Sequence, residues 1–231
     1  MNPATYYTRR RRRLLAQFDW ATRTVRPLFD ARYGARAGDA LIAEARAEYA
    51  LLIPALPYVG GRQPLTQFVI ASGWFLAMVR VLQRRGETIE QAGPLVYAST
   101  AAFIEKMPRF TRRLLGHVSF SPRYLRRLRQ RASESQAHPT PDGYVLAFVE
   151  GDGATFDYGV DYLQCATTQF LQAQGAGELA PYLCTVDRLY SEAFGWGLTR
   201  TQTLAEGYPR CDFRFKRGGP TRVTSVVMGW K

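Results

Sequence analysis

The chain has 231 residues, 46% of them apolar, a length that suits one well-buried α/β domain with a helical extension, or two small domains. Three cysteines, an odd number with no Cys-x-x-Cys, and the lack of any His-x-x-x-His argue against a disulfide framework, leave no visible zinc ligands and point to reduced thiols in a cytoplasmic compartment. A formal net charge of +12 keeps phosphate-rich partners in view, because clustered cations attract them through counterion release.

Arg9, Arg10, Arg11, Arg12 and Arg13 form an unbroken run at the start. Asp19 and Arg23 interrupt the apolar stretch that follows, so it reads as an amphipathic helix rather than a signal peptide, with Leu14, Phe18, Thr22 and Val25 on one face. Further helices are predicted over residues 40–52, 65–83, 89–107 and 122–131. Pro54, Pro57, Gly60 and Gly61 separate the first two of these, and Gly86, Thr88 and Gln91 close one helix and cap the next. The most apolar segment, 68–82, falls short of the about 20 residues that a membrane-spanning helix needs and reads as a buried helix. Arg112 and Arg113 pair, and Arg123, Arg126, Arg127, Arg129 and Arg131 stud the last helix. With no helix-turn-helix, zinc-finger or RNA-recognition signature beside them, these arginines read as a solvated face rather than a nucleic-acid interface. Peripheral contact with an anionic membrane through Arg9 to Arg13 stays open.

The polar stretch 133–143 is the expected boundary between a helical region, 1–132, and an α+β domain, 144–231, although a long loop within one continuous domain fits nearly as well. Beyond it strands are predicted over 144–150 and 156–160, helices over 162–174 and 179–194, and a closing β-hairpin of 198–205 with 210–216. This order implies an α+β fold: an N-terminal helical region packed on a C-terminal antiparallel sheet with covering helices. In the hairpin, Thr199, Thr201 and Thr203 alternate with Arg200 and Gln202. Cys211, Phe213 and Phe215 alternate with Asp212 and Arg214, and Gly207 and Pro209 mark the turn.

Residues 200–215 read R-T-x-T-x-x-x-G-x-x-x-C-D-F-R-F. This ending resembles that of the L-2-amino-thiazoline-4-carboxylic acid hydrolase family. The likeness continues upstream through Phe156 to Cys165 and through Gly177 to Asp187, and more weakly through Leu56 to Gly61. A more distant likeness of the C-D-F-R-F segment is to small-molecule-binding domains of the vinyl-reductase type. The first resemblance implies a hydrolase that opens a small heterocycle at a cyclic C–N or C=N bond. The second implies a noncatalytic ligand-binding or scaffold protein, and both stay open.

Histidine is nearly absent: His117 sits at a helix end and His138 in the polar linker, so a Cys–His couple is not expected. The candidates for chemistry are therefore thiols and carboxylates. Cys184 and Asp187, three apart on one helix with Arg188 adjacent, can pair a thiol with a general base, and match the family's C-x-x-D. The competing reading is a core cysteine beside a surface ion pair. Cys165, early in its helix, can use the helix N-terminal field or simply pack. Cys211 and Asp212 point to opposite sheet faces, so only one of them is expected at a pocket.

Arg200 has the planar fork that suits a substrate carboxylate, with Thr201 and Thr203 as further anchors; its alternative is an ion pair with Asp212 or Glu206 across the hairpin. The expected substrate is a small anionic heterocycle. No cofactor is implied, since Gly151-Asp152-Gly153 is too short and acidic to cradle phosphate.

Overall fold

The structure, a computed structural model, describes residues 3–61 and 65–230. Its first half is helical: α1 (Pro3–Thr8), α2 (Arg11–Tyr33), α3 (Ala35–Leu52), α4 (Leu65–Arg84), α5 (Ile89–Ala92), α6 (Pro94–Lys106), α7 (Arg109–Ser119) and α8 (Pro122–Ala137). The second half holds β1 (Val145–Glu150), β2 (Tyr158–Gln164), α9 (Ala166–Ala173), α10 (Ala180–Cys184), α11 (Val186–Phe194), β3 (Leu198–Arg200), β4 (Cys211–Phe215) and β5 (Arg222–Val223). This is an α+β fold with a mostly antiparallel sheet in the order β1-β2-β4-β3-β5.

The helices form where apolar spacing demands it. Leu14, Phe18, Thr22 and Val25 are buried along α2, as their i, i+4 spacing requires. In α4 the buried stripe widens to most of the circumference, and the helix packs against α3 and α9. It is the one helix among the described residues long and apolar enough to cross a membrane, yet 61% of its apolar window is buried inside the fold. The largest core cluster runs from Tyr7 to Val186 and so draws on both sides of the polar stretch 133–143. Helix α8 continues through half of that stretch, to Ala137.

One face of the sheet packs on a helix, and the other is covered by its own charged side chains. Register sets Tyr158, Val160 and Tyr162 of β2 opposite Phe215, Phe213 and Cys211 of β4, and directly opposed residues share a face. That face meets Tyr124, Leu125, Leu128 and Ala132 of α8. The other face carries Asp161, buried beneath Arg210 and Arg214 and accepting from Arg214 at 2.7 Å.

Several boundaries differ from those predicted. The helix expected over 162–174 begins only at Ala166, because Tyr162, Leu163 and Gln164 extend β2 to pair with β1 and β4. The helix expected over 179–194 breaks at Thr185, whose hydroxyl donates to the Tyr182 carbonyl at 2.6 Å. Gly93 and Pro94 split the one expected over 89–107 into α5 and α6.

The hairpin strand expected over 198–205 is only Leu198–Arg200. Past it, the Asp212 carboxylate accepts the amides of Thr201 and Gln202, both at 2.9 Å, which takes the chain out of the sheet and into a 3₁₀ turn at Leu204–Glu206. Gly207, with φ of 86°, ends that turn in a conformation that glycine tolerates best. The hairpin is not the closing element either: β5 pairs with β3 in parallel.

Candidate active site

Between the helical half and the sheet lies a cavity of about 570 Å³, within the range of small-molecule sites. Helix α4 contributes Phe68, Trp74 and Phe75; Trp20 and Phe103 come from α2 and α6. The opposite wall is built by Tyr162 of β2, the start of α9, the α10–α11 pair and Cys211 and Phe213 of β4. Eleven aromatic side chains line it, and Asp187 is the one charged residue among the described lining residues.

The break at Thr185 matters to this wall. It separates α10 from α11, and both Cys184, the last residue of α10, and Asp187, in the first turn of α11, face the cavity. Arg188 turns away: it bonds Glu192 at 2.9 Å and stacks over Trp230. The expected Cys184–Asp187–Arg188 grouping is therefore completed by a different arginine. Arg200 points inward from β3 and is 1% exposed. One terminal nitrogen donates to Asp187 Oδ2 and, at 2.7 Å, to the Cys184 carbonyl, and the other donates to the Thr224 carbonyl at 2.9 Å.

Arg200 thus stands behind Asp187 rather than at the cavity surface, and it is not available as a carboxylate clamp. The partner it takes is neither Asp212 nor Glu206. Its Nε is buried without a hydrogen-bond partner among the described residues, so the site carries an unsatisfied donor as well as an ion pair.

Burial lifts the Asp187 carboxyl above the ordinary aspartate range, with Arg200 pulling the other way. Its side chain remains 20% exposed, and Oδ1 has no hydrogen-bond partner among the described residues. The carboxylate is therefore oriented on one side and open on the other.

Cys165, Cys184 and Cys211 all line the same cavity and are unpaired. Desolvation raises each thiol. Cys184 is pushed well up, with Asp187 adding to the effect and Arg200 opposing it. Cys211 is pushed up to about 12, although the Leu204 amide donates to its sulfur at 3.2 Å. At Cys165 the Thr167 and Thr168 groups at the helix start oppose burial and lose. A thiolate activated by arginine or by a helix terminus is not what these surroundings favour.

The other three candidates sit away from the cavity. Asp212 occupies the opposite face of β4 from Cys211, as alternation predicts, and also accepts the Thr201 hydroxyl at 2.6 Å. Thr203 is fully buried; its hydroxyl accepts the Glu206 amide at 3.2 Å and donates to the Glu206 carboxylate at 2.9 Å. All three hold the β3–β4 connection. Sequence reasoning missed the aromatic wall from α4 and α6. The signal lies in the aromatic residues of the apolar segment 68–82, whose pattern suits a buried helix and a pocket wall equally.

A helix–sheet seam bearing a cavity of this size, open to solvent beside Trp20 and Phe68, with one oriented carboxylate, defines an α+β protein with a small-molecule-sized site. The model of the L-2-amino-thiazoline-4-carboxylic acid hydrolase family matches residues 67–215. That is well over half the chain and spans almost every lining residue, and the protein belongs to this family. Comparison with curated proteins and with solved structures gives no match.

Proposed function

We propose that this protein is a hydrolase that opens a cyclic C–N or C=N bond of a heterocycle, with Asp187 as the general base and acid. The observation that carries this reading is the Asp187–Arg200 pair at the cavity wall. Arg200 fixes the carboxylate, and burial raises its proton affinity toward the range useful for proton transfer. In the step proposed, Asp187 takes a proton from water as the water oxygen bonds to the ring carbon. The C=N π pair moves to the ring nitrogen, which takes that proton back from the carboxyl to give a neutral hydroxyl adduct. Asp187 then takes the adduct's hydroxyl proton as the oxygen forms C=O and the C–N bonding pair leaves with nitrogen, and the carboxyl returns this second proton to the freed amine. Water is preferred to a thiolate as nucleophile because all three thiols are driven toward their neutral form.

The family name refers to a thiazoline carboxylate. Such a ring suits the reaction, but its carboxylate would find no cation among the described lining residues. An uncharged or protonated heterocycle bearing apolar bulk fits the aromatic walls better, with a ring N–H donating to Asp187 Oδ1. A second reading, a noncatalytic binder of the same ligand class, is favoured by the predominance of apolar wall over polar groups.

One screen separates the readings. Purified protein is incubated with neutral, cationic and carboxylated thiazolines, hydantoins and lactams, and followed by mass spectrometry and calorimetry. Turnover abolished by Asp187→Asn supports the hydrolase. Tight binding without turnover supports the binder.

A further inference from the structure

Between Lys106 and Ser133 the chain carries nine lysines and arginines and not one aspartate or glutamate. Helix α7 arranges part of this charge. Phe110, Leu114 and Val118 recur at i, i+4 and i+8 and form one row along the helix; they are 75%, 48% and 43% exposed. Arg109, Arg113 and His117 each precede one of them, so an exposed basic row runs beside the apolar one. Arg217 extends it, bonding His117 Nδ1 at 2.6 Å. Of the nine cations only Arg129 has an ion-pair partner among the described residues, Glu150 at 2.7 Å.

The inner side of α7 is committed elsewhere. Gly116 is buried against α11, where a Cβ would collide with the Phe194 carbonyl, and Ser119 accepts from the Trp196 indole at 3.1 Å. The apolar row is therefore held outward by a fixed inner contact rather than being a core face left uncovered.

We propose that α7, supported by the arginines of α8, docks this protein on an anionic lipid surface. An apolar row inserted at the headgroup boundary with cations beside it is the chemistry of an interfacial amphipathic helix. Arginine stems reach along apolar surface while keeping their charge in water. A second copy of this chain fits poorly, because a two-fold contact would set unpaired arginines against their own counterparts. A nucleic acid would use the basic row and leave the apolar row exposed.

The test is flotation of the full chain with vesicles of phosphatidylcholine alone or mixed with phosphatidylglycerol, at low and high salt. The expected result is binding to the mixed vesicles that weakens with salt. Phe110→Ser with Leu114→Ser should lower it by at least about tenfold, and Arg113→Gln by about fivefold. These side chains are exposed, so circular dichroism and thermal melting should match wild type.

Equal binding to uncharged vesicles, or none to either, overturns the proposal. So does insensitivity of vesicle binding to the Phe110/Leu114 change. A concentration-dependent dimer lost in that double variant, without vesicle binding, would assign the face to a second copy. Binding to duplex or single-stranded nucleic acid that is indifferent to the double variant, again without vesicle binding, would assign the arginines to that polymer.

Discussion

The two faces of strand β4 present the same short motif to different ends. Inward, Cys211 and Phe213 join a cavity wall whose one charge among the described residues is Asp187, locked by Arg200. Outward, Asp212 gathers two amides and a hydroxyl of the β3–β4 connection, and Arg214 pairs with Asp161. Neighbouring residues of a recognisable motif thus divide between chemistry and architecture, and the division follows the pleat. A match to C-D-F-R-F cannot tell the two apart; burial and hydrogen-bond partners can.

The contrast is sharpest at Asp187. If the inner face is the reactive one, Asp187→Asn lowers turnover by about two to four orders of magnitude. The amide still offers an acceptor to Arg200, so a thermal melt alongside should separate lost chemistry from lost fold. The acid limb of kcat/KM should follow the same carboxyl: activity falls as pH drops through a pKa above that of an ordinary aspartate, since burial raises it. A limb at or below the ordinary value would remove Asp187 as the base.

Arg200→Ala comes next. It leaves Asp187 desolvated without its partner, and removing one member of a buried pair costs about 3–5 kcal/mol; urea unfolding should register that loss. An Arg200→Ala protein of near-native stability that had lost only substrate affinity would return Arg200 to the role of a ligand clamp.

On the outer face, Asp212→Ala should cost less, about 1–3 kcal/mol for donors left without their charged acceptor. Turnover per folded molecule should stay near wild type, and a large kinetic effect would erase the distinction between the faces. The mildest expectation concerns the thiols. Held neutral by burial, Cys165, Cys184 and Cys211 should alkylate with iodoacetamide at neutral pH at least about tenfold more slowly than a free cysteine, read by intact-mass kinetics. Rapid modification of one of them would revive the thiolate route.

Much of the fold was legible because apolar periodicity is local: Leu14, Phe18, Thr22 and Val25 specify a buried face without help from the rest of the chain. Failures occur where distant pairing decides. Tyr162 and Gln164 suit a helix or a strand equally, and only register with Cys211 and Val145 makes them strand. Thr201 and Thr203 alternate like strand residues, yet the Asp212 carboxylate, eleven positions on from Thr201, takes the amides of Thr201 and Gln202 out of the sheet. At the site, Cys184 and Asp187 could be paired by spacing alone. Arg200 as their neighbour could not, because β3 and α11 meet only in three dimensions. Helix α7 escaped notice for the opposite reason: its arginines mask an apolar row that its own period contains.

Where α7 meets α11, Gly116 places backbone against backbone with no side chain between. Phe194, the residue it touches, is also a wall of the cavity. Any residue larger than glycine at 116 must hold α7 away from α11 and leave Phe194 room to retreat. A substitution at this one position outside the cavity is therefore felt at the cavity wall.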